Sequence, residues 1–189
     1  ITPVKDSIEL TLQTIESILS SDFTVPYHYC VYNDFSTDEN TVRLREASEK
    51  MGFELINLSD LTDHPSPNYL LILQTAQQKA IAADAGLLIV ESDVIVKKHT
   101  LQSLFDGALT RPDCGIAAAV TVDEQENINY PYLYAKGKEG KVFPEKKHLS
   151  FCCSLLTLPF LKAFDFHQLD PEKNWHDVTI SHRSLEKGF

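Results

Sequence analysis

The sequence LLIVESDVIV, residues 87–96, decides the fold of this chain. Four apolar residues precede Glu91 and three follow Asp93, a run that is too short to span a membrane and lacks an amphipathic helical stripe. It therefore predicts a buried strand of the kind found in parallel sheets. The two carboxylates would share one face of a straight strand, or would project into the crevice above the sheet if the strand ends there.

These two carboxylates have two interpretations. Uncompensated carboxylates inside an apolar run are costly, and a bound divalent cation offsets that cost. Mg²⁺ is often held by one or two carboxylates together with substrate phosphates, and Mn²⁺ also prefers oxygen ligands. The alternative is a strand that has already ended, with Glu91 and Asp93 in a solvated turn. The spacing alone leaves both interpretations open.

Composition indicates one globular domain. The chain has 189 residues, of which 43% are hydrophobic and 23% charged, enough for a substantial core. Its formal net charge of −10 argues against a nucleic-acid partner, whose phosphates need a basic face, but not against a small phosphate ligand. Because the sequence begins without Met and ends directly after a helical pattern, we expect residues 1–189 to be a single domain cut from a longer protein.

Cysteine usage and hydropathy indicate the compartment. The four cysteines form no CxxC motif, which favours reduced thiols in a cytoplasmic protein. No apolar segment is long enough to span a bilayer, and no signal peptide is visible.

Strand-like and helix-like segments alternate along the chain. We predict strands at residues 1–4, 27–32, 53–58, 87–96, 115–122 and 151–158, with helices between the first four of them. This alternation implies a parallel sheet with helices on both faces. Ligands of such sheets bind beyond the carboxyl ends of the strands, where residues 1–4, Asn33-Asp34 and residues 91–93 fall.

Local signals refine these elements. Ser36 with Glu39 fits a capping box for a helix that runs to about residue 51 and stops at Gly52. Residues 132–134 and 141–143 are candidate hairpin strands. Asn174 is a candidate cap for a last helix over residues 175–187.

Three motifs together resemble the family 2 glycosyltransferases. Residues 33–38 (NDFSTD) are similar to the family's DDGSTD stretch, and residues 91–93 (ESD) are similar to its DxD stretch. His176-Asp177, followed by Arg183 and Gly188, is similar to its ED…R…G stretch. The order and separations fit over nearly the whole chain. The resemblance implies the GT-A fold, a three-layer α/β/α arrangement with a mostly parallel central sheet.

The resemblance also implies roles for particular residues. Asp93 would bind the metal, Mg²⁺ or Mn²⁺, and Asp177 would be the general base that takes the acceptor proton. Asp34 would hydrogen-bond the nucleotide base, and Glu91 would lie near the ribose. The implied nucleotide-sugar-binding set is Thr2, Pro3, Val4, Asn33, Asp34, Glu91, Ser92 and Arg183.

The implied reaction is an inverting transfer of a sugar from a nucleotide-diphosphate donor, with a UDP-sugar favoured, to a hydroxyl of a glycan or other acceptor. The leaving diphosphate needs electrostatic stabilisation, and the acceptor hydroxyl needs a base within hydrogen-bond reach. Bacterial surface polysaccharide or glycoconjugate synthesis is the common setting of the family. We expect a cytoplasmic protein, with association at the inner face of the membrane if segments outside this sequence provide it.

Several positions depart from the family pattern and motivate other hypotheses. Lys5-Asp6 replaces a usual Tyr-Asn pair, Gln77-Gln78 replaces a frequent Arg-Asn pair, and His176 replaces the Glu of the ED pair. The second hypothesis is therefore a catalytically silent GT-A-like domain that binds a nucleotide or a glycan. A sugar nucleotidyltransferase is a third, against which the lack of a Gly-rich loop after residues 1–4 argues. Asp34 and Asp177 also have plain structural interpretations, as a turn acid and as a first-turn helix acid.

Overall fold

The computed structural model describes residues 1–189. The strands are β1 (Thr2–Val4), β2 (Cys30–Asn33), β3 (Glu54–Asn57), β4 (Leu87–Val90), β5 (Ile116–Ala118) and β6 (Cys153–Leu156). The helices are α1 (Ile8–Leu19), α2 (Asp38–Met51), α3 (Tyr69–Ala82), α4 (Thr100–Leu109), α5 (Leu158–Ala163) and α6 (His176–Glu186). Three short 3₁₀ turns lie at Leu58–Asp60, Leu133–Ala135 and Phe166–Gln168.

The central sheet is mostly parallel, as predicted. β1, β2 and β3 pair in parallel, with Val4 opposite Asn33 at their carboxyl ends. β4 joins β1 through two hydrogen bonds of a parallel pair, since the Ile1 nitrogen donates to the Leu88 carbonyl (2.6 Å) and the Val90 N–H donates to the Ile1 carbonyl (3.0 Å). β6 runs antiparallel to both β4 and β5. The strand order is therefore β3-β2-β1-β4-β6-β5.

Helices cover both faces of this sheet, which confirms the three-layer prediction. Successive strand residues point to opposite faces, so Val90 enters one core and Ile89 the other. The first core lies under α1, α2 and α4, whose apolar residues include Ile15 and Leu104. The second core lies under α3, α5 and α6 and includes Phe160.

The start of α2 differs from the prediction. Thr37 is the cap, and its hydroxyl accepts a hydrogen bond from the Asn40 N–H (3.3 Å). The Ser36–Glu39 capping box is wrong because the Ser36 hydroxyl instead accepts from the Asp6 N–H (3.0 Å) in the neighbouring loop. The predicted stop is confirmed: Gly52 follows α2 with φ +80°, a left-handed conformation that glycine adopts without strain.

Two further local predictions are wrong. The predicted hairpin does not form, because Leu133–Ala135 is a 3₁₀ turn and residues 141–143 are irregular. Tyr132 explains why no hairpin forms, since its ring is buried and its hydroxyl donates to the Ser150 carbonyl (3.0 Å) instead. The last helix begins at His176, and its cap residue is Trp175 rather than Asn174.

The strand over residues 87–96 is shorter than predicted. β4 ends at Val90, and the Val94 N–H donates to the Glu91 carbonyl (3.1 Å) to form a turn. All four cysteines are free thiols. None of the helices combines the length and the apolar character that crossing a membrane requires.

Candidate functional site

The predicted site segments meet at one edge of the sheet. β1, β2 and β4 run in the same direction, so Val4, Asn33 and Val90 end at the same side. The loops after β1 and β2 are tied together there: the Asp6 carboxylate accepts from the Thr37 N–H (2.7 Å). This bond and the Asn40 amide hold the pKa of Asp6 below its usual range.

Three carboxylates come together at this edge. Glu91 follows β4 directly, Asp93 lies in the next turn, and Asp177 lies in the first turn of α6. The pKa of Glu91 is raised by its burial and by the negative charges of Asp93 and Asp177. The DxD-like and ED-like motifs thus lie near each other, although their oxygens do not converge within 4.8 Å of one another as a ready three-ligand cluster.

No cationic side chain neutralises these carboxylates. Neither an ion pair nor a hydrogen bond from Lys or Arg reaches Glu91, Asp93 or Asp177. The hydrogen bonds there come from neutral groups: the Val178 N–H donates to Asp177 (2.8 Å), and the Cys152 thiol donates to Glu91. Arg183 is exposed and donates to the Glu186 carboxylate (2.5 Å). The cluster therefore holds uncompensated negative charge, which is the condition that favours a bound cation.

The structure shows where residues 91–93 lie relative to the end of the strand. The strand has ended, and Asp93 is exposed in a turn, as the solvated alternative predicts. Glu91, however, is half-buried, and its pKa is raised rather than ordinary. Ser92, between them, makes no side-chain hydrogen bond.

Two aromatic side chains adjoin the carboxylates. Tyr69, the first residue of α3, has a buried hydroxyl with no hydrogen-bond partner, and Glu91 and Asp177 contribute to its raised pKa. Its ring stacks on that of His176, with centroids 6.4 Å apart. His176 is buried, which lowers its pKa and keeps the imidazole neutral at neutral pH. Sequence reasoning missed Tyr69, since only the fold brings the start of α3 beside α6.

Asp34 is held by the loop before α3. One carboxylate oxygen accepts from the Ser66 hydroxyl and the Asn68 N–H, both at 2.8 Å, and the other accepts from the Asn68 side-chain amide at 2.8 Å. The side chain is only 6% exposed. A carboxylate offers about four acceptor positions, so one remains for a ligand.

Asn33 is also engaged by its neighbours. Its amide donates to Thr41 and to Asn57, each at 3.0 Å, and its oxygen accepts from the Ser36 N–H (3.2 Å). Phe35 in the same loop has φ +56°, a conformation that explains why the family pattern has Gly there.

The β1 residues divide between the core and the site. Val4 lies in the first core, and the buried Thr2 hydroxyl is hydrogen-bonded to the Tyr29 hydroxyl (2.9 Å). Pro3 points to the opposite face and is half-buried. The side chains of Thr2 and Val4 are therefore occupied by packing, which leaves their backbone as the part available to a ligand.

Gln77, at a position where the family often has a donor-binding Arg, serves the core instead. Its buried amide donates to the carbonyls of Leu161 (2.9 Å) and Phe164 (2.6 Å), and its oxygen accepts from the Phe166 N–H (2.8 Å). The largest cleft of the molecule lies elsewhere, beside the edge strand β5, and none of the three carboxylates lines it.

Comparison with known proteins identifies the fold. No protein-family model matches the sequence, and no curated protein matches it. Solved structures do match. The mannosyltransferase PcManGT from Pyrobaculum calidifontis, solved with GDP-Man and Mn²⁺, is 16% identical with a TM-score of 0.67, over 100% of this chain and 51% of that one. TarS from S. aureus, solved with UDP-GlcNAc, is 14% identical with a TM-score of 0.65, over 98% of this chain and 52% of that one.

A third match is glucosyl-3-phosphoglycerate synthase from Mycobacterium tuberculosis, solved with Mn²⁺, UDP and glucosyl-3-phosphoglycerate. It is 17% identical with a TM-score of 0.52, over 84% of this chain and 56% of that one. The chain thus spans about half the length of the structures it matches. These likenesses show the fold: the chain has the GT-A fold of glycosyltransferases, and the fold-level part of the resemblance is confirmed.

Proposed function

We propose that this GT-A chain is the donor-binding catalytic domain of a glycosyltransferase, which moves a sugar from a nucleotide-diphosphate donor to an acceptor hydroxyl. The observation that carries the proposal is the uncompensated cluster of Glu91, Asp93 and Asp177 beyond the carboxyl ends of the strands. Structures that share the fold contain GDP-Man or UDP-GlcNAc, which supports a nucleotide-sugar donor.

The residues present fit a divalent cation of the Mg²⁺ or Mn²⁺ class. Carboxylate oxygens are the ligands these ions prefer, and no Lys or Arg competes for the cluster. Asp93 would hold the ion because it is exposed in the turn after β4, and Glu91 would stand behind it. When bound, the metal supplies the positive charge that a departing diphosphate needs. Two of the matched structures contain Mn²⁺, which supports the same choice.

Asp177 is the proposed general base. It is half-buried in the first turn of α6, beside Glu91 and Asp93. It takes the proton of the acceptor hydroxyl as the new glycosidic bond forms and the bond to the diphosphate breaks. One displacement of this kind inverts the anomeric centre. Neutral His176 cannot replace the Glu of the family pattern as a carboxylate, so Asp177 acts without a second acid on its own helix turn.

The donor contacts are proposals as well. Asp34 has one free acceptor position for the base, and the backbone of Thr2, Pro3 and Val4 borders that loop. Arg183 can reach a phosphate only by leaving Glu186. We favour a UDP-sugar, with a GDP-sugar as runner-up, and a glycan acceptor in bacterial surface polysaccharide synthesis at the inner face of the membrane.

A catalytically silent nucleotide- or glycan-binding domain is the second candidate. The observations that favour it are the ion pair that holds Arg183 at Glu186 and the three hydrogen bonds that occupy Asp34. Such a domain would bind a nucleotide with metal and transfer nothing.

The test is thermal unfolding with UDP, GDP, dTDP and CDP, each with and without Mn²⁺. At about 100 times the Kd, binding adds roughly 2.7 kcal/mol, which raises the Tm of a domain of this size by roughly 5–10 °C. Asp93→Ala should abolish the metal-dependent shift. Glu124→Ala is the matched control, since Glu124 is an exposed acid with no ion pair or side-chain hydrogen bond.

Donor hydrolysis and sugar transfer then separate the two candidates. Asp177→Asn should keep the nucleotide shift and lose turnover by several orders of magnitude, because the base is gone while the binding groups remain. Binding without hydrolysis or transfer in the unsubstituted chain would favour the silent domain. No shift with any nucleotide, in a folded sample, would contradict the transferase and leave the silent domain in its glycan-binding form.

A further inference from the structure

A second group of potential metal ligands lies at the opposite ends of the strands from the carboxylate cluster, at the amino ends of β2 and β3. It consists of His28, Cys30 and Glu54, whose ligand atoms all lie within 4.8 Å of one another. Cys30 and Glu54 are the first residues of their strands and are direct partners in the parallel register. The Glu54 N–H donates to the Tyr29 carbonyl (2.9 Å), so the pairing extends beyond the strand towards His28.

The strand geometry explains why these three side chains meet. Residues two apart in an extended segment share a face, so His28 and Cys30 point the same way, while Tyr29 between them points into the first core. Neighbouring strands lie about 4.7–4.9 Å apart, which brings Glu54 beside Cys30. The motif is thus His-x-Cys on one strand and Glu at the matching position of the next.

We propose that His28, Cys30 and Glu54 form a Zn²⁺ site that joins the amino ends of β2 and β3. An imidazole nitrogen, a thiolate and a carboxylate are ligand types that Zn²⁺ accepts, and a site of three protein ligands leaves its fourth position to water. The thiolate and the imidazole disfavour Mg²⁺ and Ca²⁺, which take oxygen ligands.

The distances fit this ion after a small rearrangement. The His28 Nε2 atom lies 2.5 Å from the Glu54 Oε2 atom, and the Cys30 Sγ atom lies 3.1 Å from that oxygen. Zn²⁺ bonds of about 2.0–2.3 Å in a tetrahedron put ligand atoms roughly 3.3–3.7 Å apart, so the side chains must separate by about 1 Å or less. His28 and Glu54 can do so, because their side chains are 73% and 39% exposed, while buried Cys30 supplies the fixed point.

The hydrogen bonds of Glu54 show which interactions the bound ion must replace. Without metal, the Glu54 carboxylate accepts hydrogen bonds from His28, Cys30 and Lys79, and these bonds lower its pKa to about 2. Burial and Glu54 raise the pKa of the Cys30 thiol to about 11, with Lys79 acting in the opposite sense. Binding therefore breaks the S–H bond, forms the metal–sulfur bond and releases the proton to solvent.

Lys79 competes with the ion for the Glu54 carboxylate. Its Nζ atom lies 3.1 Å from the Glu54 Oε1 atom, so the carboxylate already has one cationic partner. Cys30 is buried, and Tyr32, the next residue on the same face of β2, has a buried hydroxyl without a hydrogen-bond partner. The three ligands therefore lie at the border of the core rather than on the open surface.

This proposal is independent of the proposed function. Cys30 and Asn33 are separated by three residues of β2, or about 10 Å at roughly 3.3 Å per residue, and the two sites lie beyond opposite ends of that strand. No residue belongs to both sites. The role of the ion is to clip two neighbouring strands, so its loss lowers stability and leaves the carboxylate cluster unchanged.

The experiment is a Co²⁺ titration of the reduced, metal-stripped chain, followed by displacement with Zn²⁺. We expect one ion per chain to produce a thiolate-to-cobalt charge-transfer band in the near ultraviolet, and a higher Tm with Zn²⁺. His28→Ala should weaken binding by at least about 100-fold, since even residues that only orient a ligand are worth about 10–100-fold. His28 is exposed, so this variant tests the site without threatening the core.

Three further variants sharpen the test. Cys30→Ser should remove the charge-transfer band, Lys79→Met should tighten binding, and Asp93→Ala should bind as the unsubstituted chain does. Cys152→Ser is the control for the other accessible thiols and should keep the band. The proposal is overturned if no thiolate band appears, if the band survives Cys30→Ser, or if His28→Ala binds with unchanged affinity.

Discussion

Replacement of Asp34 by Asn is the most informative single change. The side chain makes three hydrogen bonds within the fold and is also proposed to contact the nucleotide base. The carboxylate is almost fully buried and joins the end of β2 to the loop before α3. Asn keeps the size of the side chain and one of its oxygens. It removes the negative charge and turns the second oxygen into a donor.

The magnitude follows from the three hydrogen bonds. If the Asn oxygen takes the place of Oδ2, it keeps the bonds from Ser66 and from the Asn68 N–H, but these lose their charge assistance and about half their strength. The new amide then faces the Asn68 side-chain amide, donor against donor. Asn68 can turn its own amide round only by losing its 3.0 Å bond to the His64 carbonyl.

One hydrogen bond to a charged group is worth about 1.5–3 kcal/mol, so the loss of one bond and of half the strength of two others predicts a total of about 3–6 kcal/mol. For a domain of this size that lowers Tm by roughly 6–24 °C, at about 2–4 °C per kcal/mol. Ser66→Ala removes a single half-exposed bond and should cost about 1 kcal/mol. In the double variant, the two effects should fall short of additivity, because Asp34→Asn already weakens the bond that Ser66→Ala removes.

The assay is denaturant unfolding of the four proteins of this cycle, together with limited proteolysis of the loop over residues 61–68. Faster cleavage of that loop in Asp34→Asn would place the loss where the structure puts it. Nucleotide titrations of the same proteins separate the two roles. Unchanged stability with lost nucleotide affinity would refute the structural argument and leave Asp34 as a ligand residue alone.

Three other changes test separate parts of the structure. Glu91→Gln should raise stability at neutral pH by about 0.5–2 kcal/mol while it weakens Mn²⁺ binding. The folded-state pKa of Glu91 is raised, so the native state binds more protons than the unfolded state, and stability falls as pH rises from the ordinary pKa of 4.5 through the raised pKa. Urea melts across this range should show the fall in the unsubstituted chain and a flatter profile in the variant. Gln77→Ala should cost about 2–4 kcal/mol, because it leaves two carbonyls and one N–H unpaired in the core, and Gln78→Ala, on the exposed side, should leave the chemical-denaturation midpoint unchanged. Gly115→Ala should cost about 1–3 kcal/mol, since the added methyl group would meet the Ser184 hydroxyl and the Phe189 side chain. Ser184→Ala removes only the first of these contacts, so stability should be partly restored in the double variant, as measured by calorimetry; a neutral single variant would contradict the clash.

The sequence predicts the frame of the site well because that frame depends on the order of strands. Asn33 and Glu91 each follow an apolar strand, and parallel strands end at one edge of a sheet, so their proximity follows from topology alone. Asp177 meets them from another element, and only the motif resemblance predicted that. The fold class and the three layers rest on the same alternation and are confirmed.

What the sequence could not predict depends on contacts between distant segments. Gln77 looks like a substituted donor-binding residue in sequence, but its amide bonds to residues 84 to 89 positions away. Ser36 has a capping pattern, yet its hydroxyl is taken by Asp6, 30 residues earlier. The Tyr69 hydroxyl points to the site only because α3 packs beside α6. Local patterns carry no information on such partners, so they mislead where a polar group has a distant one.

The number and type of hydrogen bonds that each carboxylate accepts separate the structural acids from the candidate ligands. Asp34 accepts three hydrogen bonds, all from one loop, and these bonds explain its role in joining the end of β2 to that loop. Glu54 also has three donors, but one is a thiol and one an imidazole, both of which become metal ligands when deprotonated or neutral. Glu91 has only the Cys152 thiol as a hydrogen-bond donor, and its pKa is raised by burial and by two neighbouring acids. A fold that keeps Glu91, Asp93 and Asp177 together without a cation accepts a repulsion that a single Gln or Asn would relieve. That repulsion is the physical argument that this edge of the sheet is built for a positively charged ligand, and the stability gain in Glu91→Gln measures it directly.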